Sequence, residues 1–242
     1  GRVAETGIDP FLYHLEILDE KDKRWIRPRG LVLKILEPVF YLINLVMIRS
    51  FFRLEVKGLN NLLYSERYVF VSNHVSYLDS FVLGAILGFE RLQKTAWAGA
   101  SVAAFRNPFF RFISRIAQAF PIERRKTASK GLAFAAMVLR SGKNLVWFPE
   151  GRRSPNGELE TFRTGIGMIL NRLYELVVPV FIKGTYEALP LGKVIPRPGP
   201  ITVIFGEPVD SKTLEREGKG STSINSITDA LQRRVRELGS SL

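Results

Sequence analysis

The sequence has 242 residues, of which 46% are hydrophobic, and this is enough for one domain with a substantial core. It contains no cysteine and two histidines, which excludes disulfides, thiolate nucleophiles and metal sites built from cysteine or several histidines. The formal net charge of +12 favours an anionic partner such as nucleic acid, an anionic lipid surface or a phosphorylated substrate.

Residues 1–30 are rich in charged side chains and show no clear period, which indicates a linker or a lead-in helix. They lack the apolar stretch of a signal peptide, so we predict none. The chain starts with Gly1 rather than Met, which is compatible with a fragment of a longer protein.

From Leu31 to Phe52 the chain is strongly apolar, although charged side chains interrupt it. Its uncharged core, residues 38–48, is shorter than the ~20 residues that a membrane span needs. This length favours a helical segment that lies on the membrane or re-enters it, while a core helix and a true span remain alternatives. We therefore predict that residues 1–54 are a charged lead-in followed by a membrane-associated segment.

After Gly58, short apolar runs alternate with stretches of helical length, and this alternation predicts an α/β fold. We expect a mostly buried, mixed or parallel sheet flanked by helices, formed by residues 55–242 as one domain with a polar helical region at 210–242. The predicted strands are Tyr68–Ser72, Thr95–Ala98, Asn144–Phe148, Val177–Lys183 and Ile201–Gly206. The predicted helices are Ser80–Gly88, Pro108–Ala119, Ser129–Arg140, Arg163–Leu176 and Ser223–Leu238.

The stretch SNHVSYLD at residues 72–79 places a histidine and an acid directly after a predicted buried strand. Within a regular helix, His74 and Asp79 would point about 140° apart and would not meet. If the strand ends at His74 and a helix begins near Ser76, Asp79 can hydrogen-bond one imidazole nitrogen and leave the other as a base. The alternatives are that Asp79 and Ser76 only cap the helix and that His74 is a polar residue at a strand end.

A serine nucleophile is a competing use of this histidine. Ser101 lies in GASVA, which is close to the nucleophile-elbow pattern, but in that fold the histidine follows the serine along the chain. No histidine follows Ser101. The order therefore excludes a hydrolase of this type.

A second polar stretch, WFPEGRRSPNGE at residues 147–158, follows another predicted strand and has the Pro and Gly content of a loop. It offers cations, a hydroxyl and close backbone approach to an anion such as a phosphate. A third stretch, AFPIERRK at residues 119–126, adds more cations, although basic runs are often only solvated. The candidate anion-binding residues are Glu150, Gly151, Arg152, Arg153, Ser154 and Arg124.

These stretches together resemble the glycerolipid acyltransferase family, typified by 1-acylglycerol-3-phosphate O-acyltransferase. The resemblance covers about residues 55–210 and rests on four motifs in the order of that family. The motifs are N-H-x-x-x-x-D at Asn73–Asp79, F-x-I-x-R at Phe120–Arg124, F-P-E-G-x-R-S at Phe148–Ser154 and V-P-V at Val178–Val180. The sequence departs from the family at Arg152, where Thr is usual, and near Gln118 or Ala119, where a Gly is usual.

The resemblance implies transfer of an acyl group from a thioester of coenzyme A or acyl carrier protein to a hydroxyl of lysophosphatidic acid, another lysolipid or glycerol phosphate. It implies that His74 is the base, oriented by Asp79, and that Glu150, Gly151 and Arg153 bind the acceptor together with Arg124. Pro179 would support donor binding, and Asn73, Phe148 and Pro149 support the site. It implies no cofactor beyond the thioester co-substrate and no metal.

The absence of cysteine favours direct transfer, with backbone N–H groups after His74 as the expected donors to the oxyanion.

The stretch at residues 107–120 interleaves aromatic and arginine side chains, which is typical of a helix at a lipid interface, although a helix packed on the sheet is equally compatible. We expect a peripheral or monotopic enzyme on the cytoplasmic face of a membrane and no nucleic-acid partner, because no nucleic-acid-binding module is recognisable. A non-catalytic lipid-binding relative is the alternative.

Overall fold

The structure is a computed structural model that describes residues 18–25, 30–63, 66–99, 107–121, 128–173 and 175–242. The described residues form one seven-stranded sheet with the order β1-β7-β6-β2-β5-β3-β4. Strands β2 to β6 run parallel to one another, and β1 and β7 run in the opposite direction. The strands are β1 Phe52–Lys57, β2 Tyr68–Ser72, β3 Thr95–Gly99, β4 Ala119–Pro121, β5 Asn144–Trp147, β6 Leu176–Lys183 and β7 Gly199–Phe205.

Helices cover both faces of this sheet, so the predicted α/β architecture is confirmed. Longer helices alternate with the parallel strands, while α1, α4 and α8 are a single turn or little more. The helices are α1 Glu20–Lys23, α2 Leu31–Phe51, α3 Leu78–Leu87, α4 Phe89–Gln93, α5 Pro108–Ile116, α6 Ala128–Arg140, α7 Gly165–Leu173, α8 Thr185–Ala188, α9 Ser211–Glu217 and α10 Ser223–Ser240. A 3₁₀ turn occupies Leu59–Asn61.

The five predicted strands are all present; β2 has the predicted bounds, and the ends of the other four differ from the prediction by at most two residues. Successive side chains of β2 alternate between two core layers, because side chains of a strand point to opposite faces. Val69 and Val71 pack under α6, α7 and α10, whereas Tyr68 and Phe70 pack under α3. Burial on both faces explains why β2 reads as a continuous apolar run.

Two strands were not predicted. Strand β1 lies at one edge of the sheet and alternates apolar with charged residues, and it contains residue 54, where the predicted N-terminal segment ends. Strand β4 lies at the other edge and has three residues. Edge strands need not be apolar on both faces, so they lack the signal that marked the central strands.

Helix α2 is an uninterrupted 21-residue helix that continues through Pro38. Among the described helices it is the one long and apolar enough to cross a membrane, by length and composition. Near its end Ile48 is buried, and Asn44 Nδ2 donates a hydrogen bond to the carbonyl of Phe81 in α3 at 2.9 Å. Its outward apolar side chains are exposed: Leu31, Val32, Ile35, Val39, Leu42, Ile43, Val46, Met47 and Phe51.

Gln118 explains one departure from the family pattern. It has a φ of 55°, the left-handed conformation that glycine adopts most easily. Its side chain is held on both sides, since Nε2 donates to the carbonyl of Gln93 at 2.7 Å and Oε1 accepts from Lys143 Nζ at 2.7 Å. These contacts hold a non-glycine residue in this conformation.

Candidate active site

The candidate site lies where three neighbouring parallel strands end. His74 follows β2, Glu150 follows β5, and Thr185 follows β6, and β2 pairs with both of the other two. Because the carboxyl ends of parallel strands meet at one edge of a sheet, residues far apart in sequence converge there. The edge of the sheet is therefore what assembles the site.

His74 Nδ1 lies 2.8 Å from Asp79 Oδ2, the contact that was expected if a loop separates the strand from the helix. The chain leaves β2 at Ser72 and enters α3 at Leu78, so the intervening loop folds the imidazole back over the first turn of the helix. Asp79 is fully buried, while His74 is partly exposed. Nε2 of His74 makes no hydrogen bond with the described residues and remains available on the open side of the ring.

Asp79 holds this geometry because both its oxygens accept further hydrogen bonds. Oδ2 accepts from the backbone N–H of Val75 at 2.8 Å and of Ser76 at 2.9 Å. Oδ1 accepts from Thr185 Oγ1 at 2.6 Å. The capping role and the orienting role, which the sequence left as alternatives, are therefore both present in one carboxylate.

The same bonds alter the expected position of the oxyanion donors. The amides of Val75 and Ser76 are directed at Asp79, and the amide of Leu78 donates to Ser76 Oγ at 3.2 Å. These three N–H groups are already bonded within the loop. An oxyanion at the site would therefore need donors other than the amides of Val75, Ser76 and Leu78.

The FPEG turn is attached directly to His74. The backbone N–H of His74 donates to Glu150 Oε1 at 2.9 Å, and its carbonyl accepts from the N–H of Ser154 at 2.8 Å. The Phe148 ring stacks on the imidazole, with ring centroids 4.1 Å apart and planes 21° apart. The imidazole plane is thus fixed by Asp79 on one edge and by Phe148 on one face.

Glu150 is buried, and its Oε2 has no hydrogen-bond partner among the described groups. Burial raises the pKa of this carboxyl from 4.5 to about 8, although the N–H of His74 partly opposes the shift. Glu150 therefore carries a proton near neutral pH, and it adds no negative charge beside Asp79.

Gly151 has a φ of 69°, a conformation that side chains other than glycine rarely adopt. The side chain of Arg163 lies over it, so a Cβ at this position would be 3.0 Å from Arg163 Nε. Arg163 also binds the turn, because its Nε donates to the carbonyl of Glu150 at 3.3 Å and its N–H to the carbonyl of Pro149 at 2.9 Å. A Cβ at this position would strain the backbone and displace the Arg163 side chain by a few tenths of an ångström.

The two arginines of the turn have different surroundings. Arg152 is exposed and forms two hydrogen bonds of 2.6 Å with the carboxylate of Glu160. Arg153 places its guanidinium carbon 3.4 Å from the centre of the Tyr77 ring, in the geometry of a cation–π contact. Ser154 is buried, and its hydroxyl donates to Asn156 Oδ1 at 2.8 Å.

Asn73 joins two strands at the base of the site. Its side chain exchanges hydrogen bonds with the backbone of Ile182 in β6, donating at 2.9 Å and accepting at 2.8 Å. Pro179 lies within β6, paired with Val71 and in contact range of Gly206, and so belongs to the sheet that supports the site.

Arg124 and Ser101 lie outside the described residues. In the described part of the chain, no three His, Cys, Asp or Glu residues form a cluster that could hold a metal.

Two residues of the site were not predicted. Thr185 comes directly after the β6 strand and Gly184, and this position at the end of a parallel strand was its only sequence signal. Tyr77 lies inside the His74–Asp79 motif at a position between the two functional residues, and nothing in the sequence indicates that it meets Arg153.

A sequence model described as Acyltransferase matches residues 53–183, more than half of the chain, and includes the site residues from Asn73 to Pro179 but not Thr185. The chain belongs to the acyltransferase family. The match contains the His74–Asp79 motif and the FPEG turn, so the resemblance inferred from these motifs is confirmed.

Named members of the family are similar to this chain over the same region. A chloroplastic 1-acyl-sn-glycerol-3-phosphate acyltransferase from Arabidopsis thaliana is 29% identical over 169 residues, which cover 68% of this chain and 46% of the relative. A protein of Dictyostelium discoideum named taffazin is 32% identical over 141 residues, covering 53% of this chain and 50% of the relative. The chain spans about half the length of the curated relatives it matches.

The fold is shared with a solved member of the family. The crystal structure of the 1-acyl-sn-glycerophosphate acyltransferase PlsC from Thermotoga maritima matches with a TM-score of 0.64 and 23% identity. The match covers 96% of this chain and 85% of that one. The match supports the α/β fold of the described residues.

Proposed function

We propose that this acyltransferase moves a fatty acyl group from a thioester donor to the free hydroxyl of lysophosphatidic acid or a related lysolipid. Several of the similar proteins are named 1-acyl-sn-glycerol-3-phosphate acyltransferases, which supports this acceptor class. The observation that carries the proposal is the 2.8 Å contact between His74 Nδ1 and Asp79 Oδ2, with His74 Nε2 left open.

The partners of Asp79 support a distinct role for each imidazole nitrogen. Its carboxylate accepts from two backbone amides and from the Thr185 hydroxyl, so it acts as an acceptor toward Nδ1 as well. Nδ1 then carries the proton and Nε2 keeps its lone pair. A base with this tautomer can remove the proton of an alcohol. A positioned imidazole acting in this way accelerates a reaction by about 10²–10⁴-fold.

The reaction is proposed as one direct transfer. His74 Nε2 takes the proton of the acceptor hydroxyl as its oxygen attacks the thioester carbonyl, and a C–O bond forms. The tetrahedral intermediate collapses with cleavage of the C–S bond, and His74 returns the proton to the leaving thiolate. The proton count balances, and no cofactor or metal takes part beyond the acyl-CoA or acyl carrier protein that donates the acyl group.

The FPEG turn is proposed to hold the acceptor head group. Arg153, supported by Tyr77, supplies a cation for a phosphate, and Arg124 is proposed as a second one. Arg152 and Ser154 complete the acceptor-binding set, with Arg152 at the exposed rim. A protonated Glu150 favours an anionic head group, because it removes a negative charge that would repel phosphate.

We also propose that the protein works on the cytoplasmic face of a membrane, held there by α2. The exposed apolar side of α2 and the formal net charge of +12 support binding to an anionic lipid surface. A lipid-bound position gives the site access to acceptors that partition into the bilayer.

The test is thiol release from an acyl-CoA in the presence of a panel of lysolipids and glycerol 3-phosphate. We expect release with the native chain, and a loss of about 10²-fold or more in His74→Ala and in Asp79→Asn. Glu55→Gln, on the exposed edge strand β1, is the control and keeps native rates. Equal rates for native and His74→Ala chains would remove the base assignment, and lipid binding without thiol release for any acceptor would identify a non-catalytic relative.

A further inference from the structure

The loop at residues 190–198, between α8 and β7, exposes apolar side chains beside the candidate site. Val194 is 88% exposed and Ile195 79%, the highest values among the large hydrophobic side chains of the described residues. Leu191 is 46% exposed in the same loop. An exposed apolar cluster of this kind, flanked by the two cations of the loop, marks a candidate contact surface.

The apolar loop at residues 190–198 is held in one conformation by its own backbone. The N–H of Lys193 donates to the carbonyl of Pro190 at 3.1 Å, which closes a turn, and the N–H of Arg197 donates to the carbonyl of Ala188 at 2.8 Å. Three prolines, at 190, 196 and 198, restrict the chain further. A tip that is already ordered loses little conformational entropy when it is buried.

The stem of the loop is attached to the site. The hydroxyl of Ser76 donates to the carbonyl of Leu189 at 2.7 Å, and Ser76 is also bonded to Asp79. Leu189 packs in the core layer that contains Ile48 of α2 and the inner residues of α3. The loop therefore leaves the sheet on the face that α2 and α3 cover, and Phe81 of α3, 45% exposed, lies on the same side.

We propose that the apolar loop at residues 190–198 inserts Leu191, Val194 and Ile195 into the membrane interface, as a second contact next to the site and separate from α2. The charge of the loop favours a lipid surface as its partner, since Lys193 and Arg197 flank Val194 and Ile195 and can meet anionic head groups. The proposal rests on the membrane-bound function above. It specifies which side of the site faces the membrane. Two contacts, α2 and the loop, hold the mouth of the site against the bilayer.

The chain contains no cysteine, so a single introduced cysteine takes an environment-sensitive label at one position. We would label Val194→Cys and, as the matched control, Leu63→Cys, which is 61% exposed and precedes the amino end of β2, at the opposite end of the sheet from His74. With vesicles of phosphatidylcholine and phosphatidylglycerol, we expect a blue shift and quenching by brominated lipid for the label at 194 and neither for the label at 63.

The outcomes separate this proposal from the proposed function. If the chain sediments with vesicles and releases thiol while the label at 194 stays in water, loop insertion is wrong and the acyltransferase proposal stands. If the label at 194 shifts with acyl carrier protein alone and not with vesicles, the loop is a protein-docking surface and the membrane proposal is overturned. A chain that binds no vesicle contradicts both the loop proposal and the membrane part of the proposed function.

A second variant gives a kinetic readout. Val194→Ser with Ile195→Ser removes apolar surface without touching the loop's backbone hydrogen bonds. We expect the rate on vesicle-borne lysolipid to fall about tenfold and the apparent vesicle affinity to fall in parallel, because transfer of these side chains to the interface is lost. Leu63→Ser, the matched control, leaves both values unchanged, and equal vesicle affinities for the two variants would overturn the proposal.

Discussion

The backbone N–H of His74 donates a hydrogen bond of 2.9 Å to the buried carboxyl of Glu150. This contact joins the loop after β2 to the turn after β5, so the position of the proposed base depends on a residue of the proposed acceptor site. The other carboxyl oxygen of Glu150 has no partner among the described groups. Burial raises the pKa of the Glu150 carboxyl group to about 8.

Glu150 makes the stability of the protein depend on pH. Between the ordinary pKa of 4.5 and about 8, the folded protein holds a proton on Glu150 that the unfolded chain has released. The free energy of unfolding therefore falls as pH rises through this range, by on the order of 3 kcal/mol between pH 5.5 and pH 8. Glu150→Gln does not titrate, so we expect it to lack this contribution to the decline when denaturant unfolding is measured at pH 5.5 and pH 8.

The control for this prediction is Glu158→Gln in the same turn, since Glu158 is exposed. It should show the same decline as the native chain. A decline of equal size in Glu150→Gln would mean that Glu150 is ionised in the folded protein and would contradict its neutral state in the site.

Gly151 can be tested against a second glycine with a similar backbone. Gly151 has a φ of 69° and Gly142 a φ of 80°, so alanine at either position costs about 1–2 kcal/mol of backbone strain. Only at Gly151 does the new Cβ also meet Arg163, 3.0 Å from its Nε. We expect both variants to lower the melting temperature, and Gly151→Ala alone to lower acyl transfer. Native activity in Gly151→Ala would show that the Arg163 position is unimportant.

Thr185 is expected to support the base through Asp79. Thr185→Val keeps the shape of the side chain but removes the hydroxyl that donates to Asp79 Oδ1 at 2.6 Å. The buried carboxylate then loses one donor, which costs about 1–3 kcal/mol of stability. We expect a lower kcat as well, because the Asp79 orientation relaxes. Thr185→Ser restores the donor and should recover both the melting temperature and kcat; no recovery would exclude the hydrogen bond as the cause.

Tyr77 is expected to position Arg153 for the acceptor. A cation–π contact of this geometry contributes about 0.5–2 kcal/mol, so Tyr77→Leu should raise the KM for the lysolipid by roughly 2- to 30-fold. The kcat should change little, because Tyr77 does not touch His74 through any described contact. Tyr77→Phe keeps the ring face and should retain the native KM. An equal rise in KM for Phe and Leu would assign the effect to the hydroxyl group instead.

Much of the architecture followed from local pattern. The five central strands and the α3, α5, α6, α7 and α10 helices were predicted because buried strands read as apolar runs and helices have their own period. The edge strands β1 and β4 were not predicted. Strand β1 mixes charged with apolar residues, and strand β4 has three residues. The length of the uncharged core predicted that the apolar N-terminal segment lies on a membrane or re-enters it, and the structure shows this segment as one 21-residue helix, α2.

The sequence by itself indicated the His–Asp and FPEG residues of the candidate site and their order, because these motifs are short, local and specific, whereas Thr185 and Tyr77 joined the site only in the structure. The tertiary structure alone decided their pairing: that Asp79 caps the loop and orients His74 at once, that Glu150 is buried without a second partner, and that Arg153 lies on Tyr77. The physical reason is that these contacts join the ends of strands β2, β5 and β6, which adjoin only once the sheet has formed. Local pattern carries no information about which strands become neighbours.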